Sequence, residues 1–206
     1  MIGDWRVGQY PRCTHHVFLS HCAEDRKRLV LPVYSALETA RYSPWLDQHH
    51  YPAGQGAFEA LREGITHCRH VVYFVTARFL SQGRGWNSVE NAYANLLQEN
   101  LRFGSLELCH VQFPLFFVPH GHVTLHRSAW GPLVHRGRFY AAARVDGGAV
   151  SWAAQEIIAF IQQEERRGVS LAVQVQNDPR LQPLLASEPN LLRRVMCGDP
   201  LPMPET

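Results

Sequence analysis

Apolar positions over the first 167 residues fall into two alternating patterns: short unbroken runs, and longer stretches where they recur every three or four positions. The first suits strands buried on both faces, the second amphipathic helices. His16-Val17-Phe18-Leu19-Ser20 is the first run, and it passes into an acidic helix start, Ala23-Glu24-Asp25. Val30, Val33, Leu37 and Ala40 continue at helical spacing, with Pro32 expected to kink or reset that helix in its first turns. Tyr42 to Asp47 reads as a brief second strand, and Gln48 to Phe58, holding Pro52, Gly54 and Gly56, as a loop. Phe58, Leu61, Ile65 and Cys68 stripe the next helix, and Val71 to Thr76 is a third, continuously apolar strand.

A Gly-rich break at Gly83 and Gly85 precedes a helix bearing Trp86 and Glu90, with Val89, Tyr93, Leu96 and Leu97 as its inward residues. Gln112 to Val118 is the fourth strand; a His-rich loop and a short helix around Ser128 to Val134 follow. Phe139 to Ala142 is a weak fifth strand. Trp152, Ile157, Ile158 and Ile161 mark a last helix expected to end in the charged run Glu164 to Gly168. The expected organisation is an N-terminal arm over 1–13, one domain over 14–167, and an extension over 168–206 with one or two short helices and a Pro-rich end.

Strands alternating with helices imply βαβ units and a doubly wound parallel sheet. Right-handed crossovers put every strand-to-helix loop on the carboxyl edge, where ligands bind at the reversal of strand order. Ser20-His21, the loop after Asp47, Thr76-Ala77-Arg78 and the start of the Glu90 helix are expected to meet there. Trp86 and Glu90 are one turn apart and share a helix face. By position alone Glu90 also fits an acid answering the helix dipole, Trp86 a core aromatic, and Asp47 a loop cap.

Composition narrows the classes. The chain has 206 residues, enough for one full core, with a net charge of +2 from 20 basic and 18 acidic residues. So even a balance argues against a nucleic-acid partner. No apolar run is long enough to span a bilayer, and the N-terminus lacks the form of a secretory signal, so no membrane partner and a cytoplasmic location are expected. The five cysteines, Cys13, Cys22, Cys68, Cys109 and Cys197, include no close-spaced pair. That spacing favours reduced thiols over a disulfide frame or a zinc knuckle.

Other motifs are weaker. Gly54-Gln55-Gly56 lacks the third glycine of a dinucleotide fingerprint, and there is no Walker loop. His120, His122 and His126 have no metal-ligand spacing behind them, so no metal is expected. Ser20 and His21 are adjacent and outside any nucleophile elbow. Arg102, Arg127, Arg136 and Arg138 read as a solvated face.

Phe18-Leu19-Ser20-His21 followed by Ala23-Glu24-Asp25 resembles the opening motif of Toll/interleukin receptor (TIR) domains. Trp45-Leu46-Asp47 with Pro52-Ala53-Gly54 resembles their second strand and the mobile loop after it. Val72 to Thr76, Ser81 and Trp86-Asn87-Ser88-Val89-Glu90 resemble the stretch ending in the W-x-x-x-E of the enzymatic members. The resemblance covers residues 14–167 and implies a flavodoxin-like, five-stranded parallel sheet flanked by helices. Pro32 and the extra Gly83-Arg84-Gly85 depart from the pattern.

The family divides into adaptors, which only assemble, and enzymes that cleave the nicotinamide–ribose bond of NAD. The resemblance places Glu90 at the catalytic acid and Phe18, Ser20, His21, Trp45, Asp47 and Trp86 around the substrate, with NAD a substrate and no cofactor required. It also implies self-association through the loop 47–57. Short free-standing prokaryotic members resemble the sensor half of Thoeris-type antiphage systems, which reach a separate effector through a small-molecule signal. A non-catalytic interaction module, or a virulence mimic of host adaptors, is the alternative.

One carboxylate suits this chemistry. Nicotinamide is already cationic on its ring nitrogen and leaves neutral, so no general acid is needed; ordinary glycosides need two carboxyl groups. The site has to stabilise an oxocarbenium-like ribose in a water-poor cleft. Water then gives ADP-ribose, an internal nucleophile a cyclic form, and a foreign nucleophile a conjugate.

Overall fold

Five parallel strands form one sheet in the order β2-β1-β3-β4-β5. They are β1 (His15–Ser20), β2 (Pro44–Trp45), β3 (Cys68–Val75), β4 (Val111–Phe116) and β5 (Arg138–Phe139). The structure, a computed structural model, describes residues 12–51, 54–81, 85–100, 109–118, 137–140, 145–198, 201 and 203–204. The order is that of a doubly wound flavodoxin-like sheet: the chain steps from β1 outward to β2, then back past β1 to β3.

Strand parity sorts the core into two layers. Val17 and Leu19 of β1, Val72 and Phe74 of β3, and Phe113 and Leu115 of β4 pack against Leu29, Val33 and Leu37 and against Ala153, Ile157, Phe160 and Ile161. Phe18, Val71, Tyr73, Val75 and Phe116 point to the opposite layer, where Leu61, Ile65, Ala94 and Leu97 cover them. Both faces are apolar because both are roofed by helices. Burying each such aliphatic or aromatic side chain contributes about 1.5–3 kcal/mol.

The first crossover is not one regular helix. A 3-10 turn, Ala23–Asp25, leads into a wide π turn, Arg26–Val30, and only then into α1 (Leu31–Thr39). This is the reset expected of Pro32, which falls in the first turn of α1, where a missing N–H is tolerated. The second strand is shorter than Tyr42 to Asp47: Asp47 opens a one-turn helix, α2 (Asp47–His50). The helices α3 (Ala57–Thr66), α4 (Ala77–Ser81) and α5 (Trp86–Asn100) follow.

The last helix corrects the sequence reading. α6 runs without interruption from Gly147 to Asn177, through the charged run expected to end it. Glu165 explains the difference. It is buried beside Arg69, with Nε to Oε1 at 3.2 Å, and its Oε1 is 3.5 Å from His70 Nε2. Beyond Gly168, Leu171, Ala172 and Val175 continue an apolar stripe against Leu192 and Met196. Asp146 caps the helix start, its side chain accepting from the Ala149 N–H at 2.9 Å. Residue 168, the expected domain boundary, lies inside this helix. Two short helices, Gln182–Ser187 and Leu191–Val195, complete the extension.

Among the described residues no helix is long and apolar enough to cross a membrane. The expected helix at 128–134, the end of the fifth strand at 141–142, His120, His122, His126, Arg102, Arg127 and Arg136 lie outside the described residues, as do 52–53 and 82–84.

Candidate active site

Ser20 is the last residue of β1, and β1 lies between β2 and β3, where the strand order reverses. Its side chain is fully buried, and its hydroxyl donates to Oε2 of Glu90. Glu90 sits in the second turn of α5, 9% exposed, so the helix aims the carboxyl group inward at the end of β1. Burial pushes Glu90 up from 4.5 to about 7; the Ser20 hydrogen bond pulls it down, and the charge of Asp47 adds to the rise. An isolated acid answering the helix dipole on the surface would have none of these features.

A second group of charges lies beside this pair. His21 Nδ1 donates to the Leu19 carbonyl at 3.0 Å, which leaves Nε2 to accept from Arg26 Nε, also at 3.0 Å. The other end of the Arg26 guanidinium donates to Asp47 Oδ2. Burial lowers the His21 pKa; the Leu19 carbonyl and Asp47 work against that, and Arg26 adds to it. The imidazole is therefore a neutral spacer between strand end and guanidinium. Asp25 closes the edge from the β3 side, accepting from Thr76 Oγ1, with Arg78 Nη1 3.5 Å from its other oxygen. Thr76 Oγ1 in turn accepts from the Phe79 N–H at 3.1 Å, capping the start of α4.

The expected residues thus divide. Ser20, His21, Asp47 and Glu90 converge on the carboxyl edge. Phe18 and Trp45 are buried just beneath it, their rings stacked at 4.6 Å and 16°. Trp45 also covers Gly64, where an added Cβ would lie 2.5 Å from the indole. Trp86, the first residue of α5, is 52% exposed and takes no part in the core.

Three polar residues of this edge were not assigned to the site from the sequence. Asp25 read as part of an acidic helix start and of the opening motif, and Arg26 carried no signal of its own. Asn87 lies three positions before Glu90 on the same face; it is 4% exposed, and its Nδ2 has no hydrogen-bond partner among the described residues. The i,i+3 spacing to Glu90 was the available signal. Two clefts of about 400 Å³ and 410 Å³ open elsewhere, one beside Phe113 and Phe160 and one beside Glu59 and Tyr93. Neither is lined by Glu90.

Residues 17–115 match the family model described as TIR domain. The TIR domains in the activated Roq1 resistosome directly recognizing the pathogen effector XopQ superpose with a TM-score of 0.55 at 18% identity, covering 72% of this chain and 99% of that one. The TIR domain of the Toll-related receptor TRR-2 from Hydra magnipapillata gives 0.39 at 12% identity, over 59% and 97%. A metazoan TIR-STING receptor from C. gigas in complex with 2',3'-cGAMP gives 0.48 at 15%, over 75% of this chain and 41% of that one. No curated protein matches the chain. The fold is that of a TIR domain: a flavodoxin-like five-stranded parallel sheet with flanking helices.

Proposed function

We propose that this chain is a TIR enzyme that cleaves the nicotinamide–ribose bond of NAD, with Glu90 as the catalytic carboxylate. The observation that carries the reading is the buried Ser20–Glu90 pair at the switch point of the sheet. An adaptor has no use for a buried acid at that edge. Keeping one there costs folding energy, because the charged form is removed from water.

In the reaction the bond from ribose C1′ to the pyridinium nitrogen breaks, and its electron pair neutralises the ring. Positive charge builds on the ribose. Ionised Glu90, held by Ser20 through Oε2, offers Oε1 to the ribose hydroxyls and stabilises that charge in a site with little water. Asn87 Nδ2, buried and unpartnered among the described residues, is placed to donate to the substrate from the next turn. Trp86, exposed one turn before Glu90, offers an indole face for a ring of the substrate. His21 and Arg26 act by holding Asp47 at the rim.

Self-association belongs to the same reading. Tyr51 within the loop 47–57 and Phe58 just after it, 42% and 49% exposed, supply apolar surface to a second copy. By its resemblance to the enzymatic members, we propose that the product is a signal for a separate effector in antiphage defence.

The test is incubation of the purified full chain with NAD at rising protein concentration, with chromatography of nicotinamide and mass analysis of the sugar product. Release growing faster than protein concentration is expected. A chain that gives no release even when concentrated, yet forms oligomers, is an interaction module.

A further inference from the structure

Away from Glu90, at the amino edge of the sheet, four ligand-type side chains from three distant parts of the chain meet. Cys13 lies just before β1, Cys109 and His110 just before β4, and Cys197 after the last short helix. All four are buried, with His110 and Cys197 fully so. The ligand atoms of Cys13, His110 and Cys197 all lie within 4.8 Å of one another. Cys197 Sγ is 3.3 Å from His110 Nε2 and 3.2 Å from Cys109 Sγ.

We infer that Cys13, His110 and Cys197, with Cys109 as the fourth donor, form a structural Zn²⁺ site that fastens the C-terminal extension to the amino edge of the sheet. Donor chemistry selects the metal. Three thiolates and an imidazole are a soft set that suits tetrahedral zinc and is wrong for magnesium or calcium. Ligand atoms about 2.0–2.3 Å from one tetrahedral centre lie roughly 3.5–3.8 Å apart; Cys13, His110 and Cys197 come within 4.8 Å of one another, and Cys109 joins them through its 3.2 Å contact with Cys197.

The backbone also favours the cluster. His110 and Cys197 both have φ of +54°, a left-handed backbone that turns their side chains toward one point and that residues with a Cβ rarely adopt. The surrounding backbone holds them there: the His110 N–H donates to the Arg69 carbonyl, and the Cys13 N–H to the Cys197 carbonyl at 2.7 Å.

Binding involves no redox step. Each coordinating thiol loses its proton to solvent and the thiolate lone pair bonds the metal. The sequence gaps between the ligands hide the site, because no two cysteines have zinc-knuckle spacing. The site lies at the sheet edge opposite Ser20 and Glu90, so its role is to hold the fold.

The experiment is elemental analysis of the tag-free full chain after gel filtration with a weak chelator. About one zinc per chain is expected. Cys197→Ala and His110→Ala should lose it, while Cys22→Ala, at the other edge, should keep it. Should the first two variants fail to fold, Co²⁺ exchanged into the wild type gives an independent reading: visible bands of tetrahedral thiolate coordination are expected. Wild-type protein reconstituted with Zn²⁺ that elutes with none overturns the inference. So does a non-reduced chain lighter by two hydrogens with Cys109 joined to Cys197, which would make the cluster a disulfide.

Discussion

The Ser20 hydroxyl donates to Oε2 of Glu90 across 70 positions of sequence, tying the end of β1 to the second turn of α5. That bond favours the ionised carboxylate, whereas burial and the charge of Asp47 oppose it, and the balance leaves Glu90 at about 7. Small changes around it therefore move the site across the physiological range.

The first prediction is a pair of opposite shifts. On the proposed mechanism only ionised Glu90 works, so kcat/KM for NAD falls tenfold per pH unit below about 7. Ser20→Ala removes the bond that lowers Glu90 and should move this limb upward. Asp47→Asn removes the charge that raises it and should move the limb downward, each by about one unit. Limbs that stay in place in both variants contradict this electrostatic picture.

Stability should show the same group. Glu90 is raised from 4.5 to about 7 on folding, so below pH 4.5 it is protonated in both states and costs nothing. The cost grows as pH rises from 4.5 toward 7 and is complete above that. Glu90→Gln should thus be more stable than wild type by on the order of 3 kcal/mol at pH 8 and equal to it at pH 4, by urea unfolding.

How much of this was legible beforehand depended on range. The strands showed as apolar runs, and the W-x-x-x-E spacing brought Glu90 forward, because both signals are local. The length of α6 was not legible. Glu164 to Arg167 has the composition of a solvated helix end, and only the fold brings Arg69 under Glu165. Trp86 fitted a pocket wall or a core aromatic equally well from its spacing; its place at the first residue of α5 turns it outward. Asn87 stood inside the motif, but an unpartnered amide is visible only when its surroundings are.

Arg69 and Glu165 should behave as a buried pair. Glu165→Ala leaves a buried guanidinium without its carboxylate and should cost about 3–5 kcal/mol by denaturant unfolding. Replacing both residues with apolar ones of similar volume should recover most of that loss.

Gly64 carries the packing of Trp45. An alanine there would bring a methyl within 2.5 Å of the indole, which is itself stacked on Phe18. Gly64→Ala should destabilise by roughly 1–3 kcal/mol, and tryptophan fluorescence should report the displaced ring.

The central claim is that one buried carboxylate makes this sheet edge an enzyme. Nicotinamide release from NAD by wild type and by Glu90→Gln, side by side at one protein concentration and pH 8, tests it most directly. The account predicts release by the wild type and a loss of about 100-fold or more in a variant that remains folded. Equal release by both proteins would contradict it.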